Sequence, residues 1–223
     1  MKKINLSALL TAMLTAVLMS ACNGNGTDVV ETFMAFATLE NTTDKGCTFT
    51  TQEGPNTPVV TFTSPVELKN DRYPVGNRYI IGYTNESNKR FESGPITLAL
   101  IMDIANGKIE SATSEAIKSI TADPMNPTMI TRTGQWLNIE AIAPIQIAPT
   151  QFGLYVDRDT ENNEIPDVYI GFVTDNTGSP YRQFYGSFSL EPLWSKESCR
   201  GIKLHIKLNG KPETIDYMKA SDR

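Results

Sequence analysis

Apolar residues occupy every second position of Ile202-Lys203-Leu204-His205-Ile206-Lys207-Leu208, with basic side chains between them. Period two marks a strand with one buried and one wet face. Asn209-Gly210 follows, the pair favoured by type I′ hairpins, and residues 214–218 supply the returning strand. Upstream, residues 135–143, 151–156, 167–174 and 183–190 are short runs rich in β-branched, aromatic and aliphatic side chains. Together these six runs predict an antiparallel β-sandwich over residues 107–223.

The first half has the same texture in shorter pieces. Residues 29–39, 57–62, 77–84 and 96–104 read as strands, punctuated by Gly54-Pro55-Asn56, Asn70-Asp71 and Asn85-Glu86-Ser87-Asn88. So many strands in so few residues predict a small barrel over residues 29–106, because closure removes exposed edges. Asn106-Gly107 reads as the turn between the halves. Residues 114–120, capped by Thr113 or Ser114, form the one expected helix and connect the two units. Pro124 and Pro127 forbid its continuation.

The N-terminus follows a different pattern. Lys2 and Lys3 precede an apolar stretch, residues 6–19, that is shorter than the ~20 residues needed to span a bilayer. Residues 1–21 therefore read as a secretion signal. Met19-Ser20-Ala21-Cys22 resembles the bacterial lipobox, with Met19 where Leu is preferred, and implies lipidation of Cys22. Each buried methylene of such a lipid contributes ~0.8 kcal/mol to anchoring. Residues 22–28 are small and polar, a tether.

Composition narrows the function classes. The 223-residue chain has a net charge of −5, and losing Lys2 and Lys3 with the signal takes it to −7. An acidic body argues against nucleic-acid binding. With Cys22 lipidated, Cys47 and Cys199 remain in an oxidising compartment, and both lie in turn-like surroundings. A Cys47–Cys199 disulfide would stabilise by about 4–5 kcal/mol. Two isolated thiols are the alternative.

Candidate chemistry is sparse. His205 is the only imidazole, and it stands between Lys203 and Lys207 on the wet face of a strand, a poor place for a general base. Asp157, Asp159 and Glu161 echo the first ligand positions of a calcium loop. Asn162 replaces the turn glycine, however, and Val168 falls where the bidentate acid belongs, so a solvated hairpin loop explains the segment equally well. Neither metal nor cofactor is expected. Aromatic residues are the better resource. Tyr181 and Tyr185 share one strand face beside Arg182, while Phe184 and Phe188 share the other. A Tyr face with a nearby Arg suits a sugar ring or a protein partner. Tyr79 and Tyr83 share a parity on the barrel and could present a second such face.

The chain as a whole resembles the NigD-like lipoproteins of the Bacteroides group. The likeness is carried by Cys22, by Gly76-Asn77-Arg78-Tyr79-Ile80-Ile81-Gly82-Tyr83-Thr84, by residues 96–104, and by Asp123-Pro124. Gly134-Gln135-Trp136-Leu137-Asn138-Ile139 and the hairpin of residues 202–217 complete it. The resemblance implies an N-terminal OB-like barrel followed by a β-sandwich, and it implies no activity. In such lipoproteins an acidic run after the Cys tends to mark export to the cell surface. This chain has none, which favours the periplasmic face of the outer membrane. The expected protein is a non-enzymatic, membrane-anchored accessory module that binds a glycan or an envelope protein. The alternative is a structural lipoprotein that docks an outer-membrane complex without a small ligand.

Overall fold

The structure is a computed structural model, and it describes residues 30–121, 125–144, 149, 151–174, 180–208 and 210–219. Cys22 and the rest of the expected signal and tether lie outside them. No helix among the described residues is long and apolar enough to cross a membrane.

The first sheet is built from β1 (Phe33–Thr43), β2 (Gly46–Thr51), β3 (Val60–Ser64), β4 (Arg78–Thr84), β5 (Gly94–Pro95) and β6 (Thr97–Asp103), in the order β5-β3-β2-β1-β4-β6. Alternate residues of its strands, among them Ala35, Ala37, Leu39, Phe49, Phe62, Tyr79, Ile81 and Tyr83, fill one core. The hairpin between β1 and β2 depends on Gly46. Its φ of +136° suits glycine, and a Cβ there would lie 2.1 Å from the Ser64 carbonyl oxygen.

No ladder closes this sheet into the expected barrel. Its two edges are instead consecutive in the chain. Only Ile96 separates β5, which pairs with β3, from β6, which pairs with β4. The Ile96 amide donates to Thr63 at 2.8 Å, but Pro95 has no N–H with which to extend the pairing.

Two sheets then face each other. β7 (Ala105–Lys108) and β8 (Glu110–Ala112) leave one segment in series and join different sheets, with buried Ile109 between them. Asn106 and Gly107 therefore lie inside a strand, paired with Ser187 and Phe188, rather than in a turn. α1 (Ser114–Ile120) follows, with the Thr113 hydroxyl accepting from the Ala116 amide at 3.3 Å. Because β7 and β8 precede it, α1 belongs to the second half and does not connect the two.

The remaining elements are β9 (Asn126–Thr133), β10 (Trp136–Pro144), β11 (Gln151–Asp157), β12 (Asp167–Val173), β13 (Tyr181–Ser189), α2 (Glu191–Trp194), β14 (Gly201–Leu208) and β15 (Lys211–Met218). They complete sheets of order β7-β13-β10-β9 and β15-β14-β12-β11-β8 around a core that includes Leu137, Ile139, Leu154, Val168, Phe188 and Ile202. The sheets are mixed, not purely antiparallel as expected. Between β12 and β14 the chain visits the opposite sheet through β13, so β14 returns parallel to β12. The short α2, with a proline in its first turn, is an element the sequence reading lacked.

The expected disulfide is not formed. Cys47 belongs to the core of the first half and Cys199 to that of the second, and both are buried free thiols. Burial raises the pKa of each above the ordinary thiol value.

Candidate functional site

Both faces of β4 are covered. Tyr79, Ile81 and Tyr83 point into the core of the first half, while Arg78 and Ile80 line cavities on the side that meets the second half. Arg78 is only 2% exposed. Its Nη1 donates to Thr38 Oγ1 at 3.2 Å. Its Nη2 reaches the Phe36 carbonyl at 3.0 Å, Thr133 Oγ1 at 3.2 Å and Asn138 Oδ1 at 3.4 Å. The guanidinium stands 4.9 Å from the centre of the Trp136 ring.

These contacts cross the seam between the halves. Asn138, fully buried, donates to Thr133 Oγ1 at 2.9 Å and accepts from Ser187 Oγ at 2.7 Å. From β7, Asn106 accepts from the Arg78 amide at 2.7 Å and donates to the Arg78 carbonyl at 3.0 Å, so its side chain takes the place of a strand neighbour.

The carboxylates of the seam do not reach Arg78. Among the described residues no carboxylate pairs with Arg78, and its buried Nε–H has no acceptor. An unsatisfied buried donor costs about 1–3 kcal/mol. Burial pushes the Arg78 pKa down to about 9, so the side chain is still a cation at neutral pH.

Arg78 lines a cavity of about 480 Å³ with Thr38, Glu40, Gln52, Thr133, Gln135 and Trp136. Alongside lies a more apolar cavity of about 610 Å³ that includes Phe36, Ile80, Phe91, Met129, Glu140 and Tyr185. Thr51, Gln52 and Thr133 line both, so the two cavities adjoin along the seam and are together called the groove.

Of the residues singled out in the sequence, the groove takes only Tyr185, opposite Glu140 on β10. Burial and the Glu140 carboxylate raise the pKa of its phenol. Tyr181, 71% exposed, and Arg182 lie further along β13 and line neither cavity. Tyr79 and Tyr83 are core residues, contrary to expectation. Tyr83 packs 4.5 Å from Phe62, and Tyr79 donates to the Pro74 carbonyl at 3.2 Å.

The acidic loop does not gather its carboxylates. Asp157 accepts from Ser114 Oγ at 3.1 Å and from the Asp159 amide at 3.1 Å, while Glu161 is paired with Lys196 at 2.9 Å. Lys196 holds the Glu161 pKa below the usual carboxylate range. Among the described residues no group of three His, Cys, Asp or Glu side chains could hold a metal. His205 is tied down too, 2.6 Å from Asp167 and stacked 4.6 Å from Tyr169.

The sequence reading gave no role to Arg78, Trp136, Thr133 or Asn138. The available signal was polar side chains inside otherwise apolar strands, Arg78 in Asn77-Arg78-Tyr79-Ile80 and Asn138 in Leu137-Asn138-Ile139.

No family model and no curated relative matches the chain. Solved structures do match it. A NigD-like immunity protein from Bacteroides caccae superposes with a TM-score of 0.59 at 14% identity, covering 88% of this chain and 100% of that one. The fold is NigD-like. A candidate toxin-related protein from Parabacteroides distasonis shares it with a TM-score of 0.65 at 16% identity, over 86% of this chain and 95% of its own. A candidate lipoprotein from Bacteroides fragilis does so with a TM-score of 0.60 at 11% identity, over 86% and 100%. At these identities the likeness is one of fold, and the NigD-like fold spans both halves.

Proposed function

We propose that the chain is a non-enzymatic lipoprotein of the bacterial envelope, anchored through a lipid on Cys22, that works by binding a ligand in the seam between its halves. Residues 1–21 are its signal, 22–28 its tether, and 29–106 and 107–223 its two units. The periplasmic face of the outer membrane is its place. The lipobox-like Met19-Ser20-Ala21-Cys22 supports anchoring, as does the shared fold of the candidate lipoprotein from Bacteroides fragilis. One observation carries the binding reading: a buried cation that no carboxylate pairs with among the described residues lines a cavity beside Trp136.

Two experiments test it. Cell fractionation with mass analysis should find the wild-type chain in membranes with an acylated N-terminus, and Cys22→Ser released and unmodified. A Cys22→Ser chain that stays in the membrane overturns the anchor. Protease shaving of intact cells should leave the chain uncut, and digestion from outside moves it to the cell surface. For binding, the detergent-purified full chain is applied to an array of bacterial and host glycans. Retention that Trp136→Ala abolishes is the expected result. No retention, together with co-purification of an outer-membrane complex that survives Trp136→Ala, replaces the binding module with a docking lipoprotein.

A further inference from the structure

We infer that the Arg78 cavity takes a singly charged acidic sugar of the hexuronate class, its carboxylate on the guanidinium and its ring against the half-exposed indole of Trp136. This rests on the binding reading above and adds the chemistry of the ligand.

Four observations converge on that class. Arg78 carries a planar guanidinium of a shape that matches a carboxylate; its Nη groups rest on Thr38, Phe36, Thr133 and Asn138, and its buried Nε–H has no acceptor. Glu40 lines the same cavity, yet it forms no ion pair with Arg78 and instead accepts from Thr50 Oγ1 at 2.5 Å. The anion that answers Arg78 therefore has to come from outside the chain. Glu40 also limits its charge, because its carboxylate lines the same small space and opposes a phosphate dianion more strongly than a monoanion. The rest of the wall suits hydroxyl groups. Thr38, Gln52, Thr133 and Gln135 carry donors and acceptors, Val59 is the only aliphatic side chain lining it, and Trp136 supplies an aromatic surface. A peptide terminus would bring apolar side chains better suited to the neighbouring cavity of Phe36, Ile80 and Met129.

The test is calorimetric titration of the full chain in detergent with four probes: glucuronate, glucose, acetate and a tripeptide with a free carboxylate. Glucuronate should bind at least about ten-fold more tightly than each of the others, because only it offers both the anion and the ring. Arg78→Lys keeps the charge but loses the fork, and should weaken glucuronate by about ten-fold. Two variants keep the test independent of any folding defect at Arg78. Trp136→Ala should weaken glucuronate, and Glu40→Gln should tighten it while admitting glucose 6-phosphate. Glucose bound as well as glucuronate, with the same dependence on Trp136, leaves the seat in place and overturns the acidic class. A preference for the tripeptide overturns the sugar. No binding of any probe overturns this inference, while Trp136-dependent retention of some other glycan on the array would keep the seat. Heat from glucuronate that Arg78→Lys and Trp136→Ala leave unchanged overturns the site.

Discussion

Arg78 and Arg132 are alike on paper. Both are buried strand residues, both lack a carboxylate partner among the described residues, and each stacks over a tryptophan, Trp136 at 4.9 Å and Trp194 at 4.5 Å. Their acceptors separate them. Arg132 spends its donors on backbone carbonyls, Nε on Gly134 at 3.1 Å and Nη1 on Met218, and thereby fastens the end of β15 to the turn after β9. Arg78 spends its donors mostly on side-chain oxygens and leaves Nε unused beside a cavity. A buried cation whose bonds go to backbone carbonyls is a clamp. One held mostly by hydroxyls and an amide side chain, with space next to it, is a seat.

The largest effect should follow from removing the clamp. Arg132→Met takes away two charge-assisted bonds to backbone carbonyls, each worth about 1.5–3 kcal/mol, so we expect a loss of about 3 kcal/mol in chemical denaturation. Arg78→Met should cost less, about 1 kcal/mol. Three of its acceptors keep a second donor: Phe36 O from Thr51 at 2.6 Å, Thr133 Oγ1 from Asn138, and Asn138 Oδ1 from Ser187. The substitution also removes a desolvated charge without a partner. Equal losses in the two variants would erase the distinction, and a larger loss at Arg78 would make it the clamp.

The thiols sharpen the contrast between the halves. With Cys47 and Cys199 buried in separate cores, a thiol reagent should label neither in the native full chain and both after denaturation. In a Cys22-lipidated chain the denatured count is then two. A count of zero under non-reducing denaturation would mean that a bond ties the halves together, and the seam would be fastened covalently as well as by Arg78 and Asn106.

How much of this was legible in the sequence follows from burial. Where one face of a strand is wet, alternation tells inside from outside, as in β14, where the alternating run 202–208 falls within the observed Gly201–Leu208. Where both faces are covered it could not. β4 is buried from Arg78 to Tyr83, so the shared parity of Tyr79 and Tyr83, which fits a ligand face, marks core residues instead. β2 was hidden because Gly46-Cys47 reads as a turn and the Thr-rich run behind it is short. The mixed sheets and the unclosed first sheet depend on where the chain crosses between layers, which period two does not encode. The seat was illegible for the same reason: Arg78 and Trp136 are far apart in the chain and meet only because β4 and β10 face one seam.

The smallest predicted effect probes the clamp through its neighbour. Tyr217 on β15 donates to the Ile130 carbonyl at 3.3 Å, and burial raises its pKa to about 12, with the Arg132 charge working in the opposite direction. The phenol is thus neutral in the folded chain over a range in which it would already be ionised in the unfolded one. Its contribution to stability is full below about pH 10 and is lost as the pH rises through about 12. In an ultraviolet titration of phenolate absorbance, the buried tyrosines should lag the exposed ones, and Tyr217→Phe should remove the latest step. Arg132→Met, by taking away the cation that favours phenolate, should delay the step further, whereas Arg78→Met should leave it where it is. A late step that moves with Arg78 and not with Arg132 would couple Tyr217 to the other arginine, and the division into clamp and seat would fail.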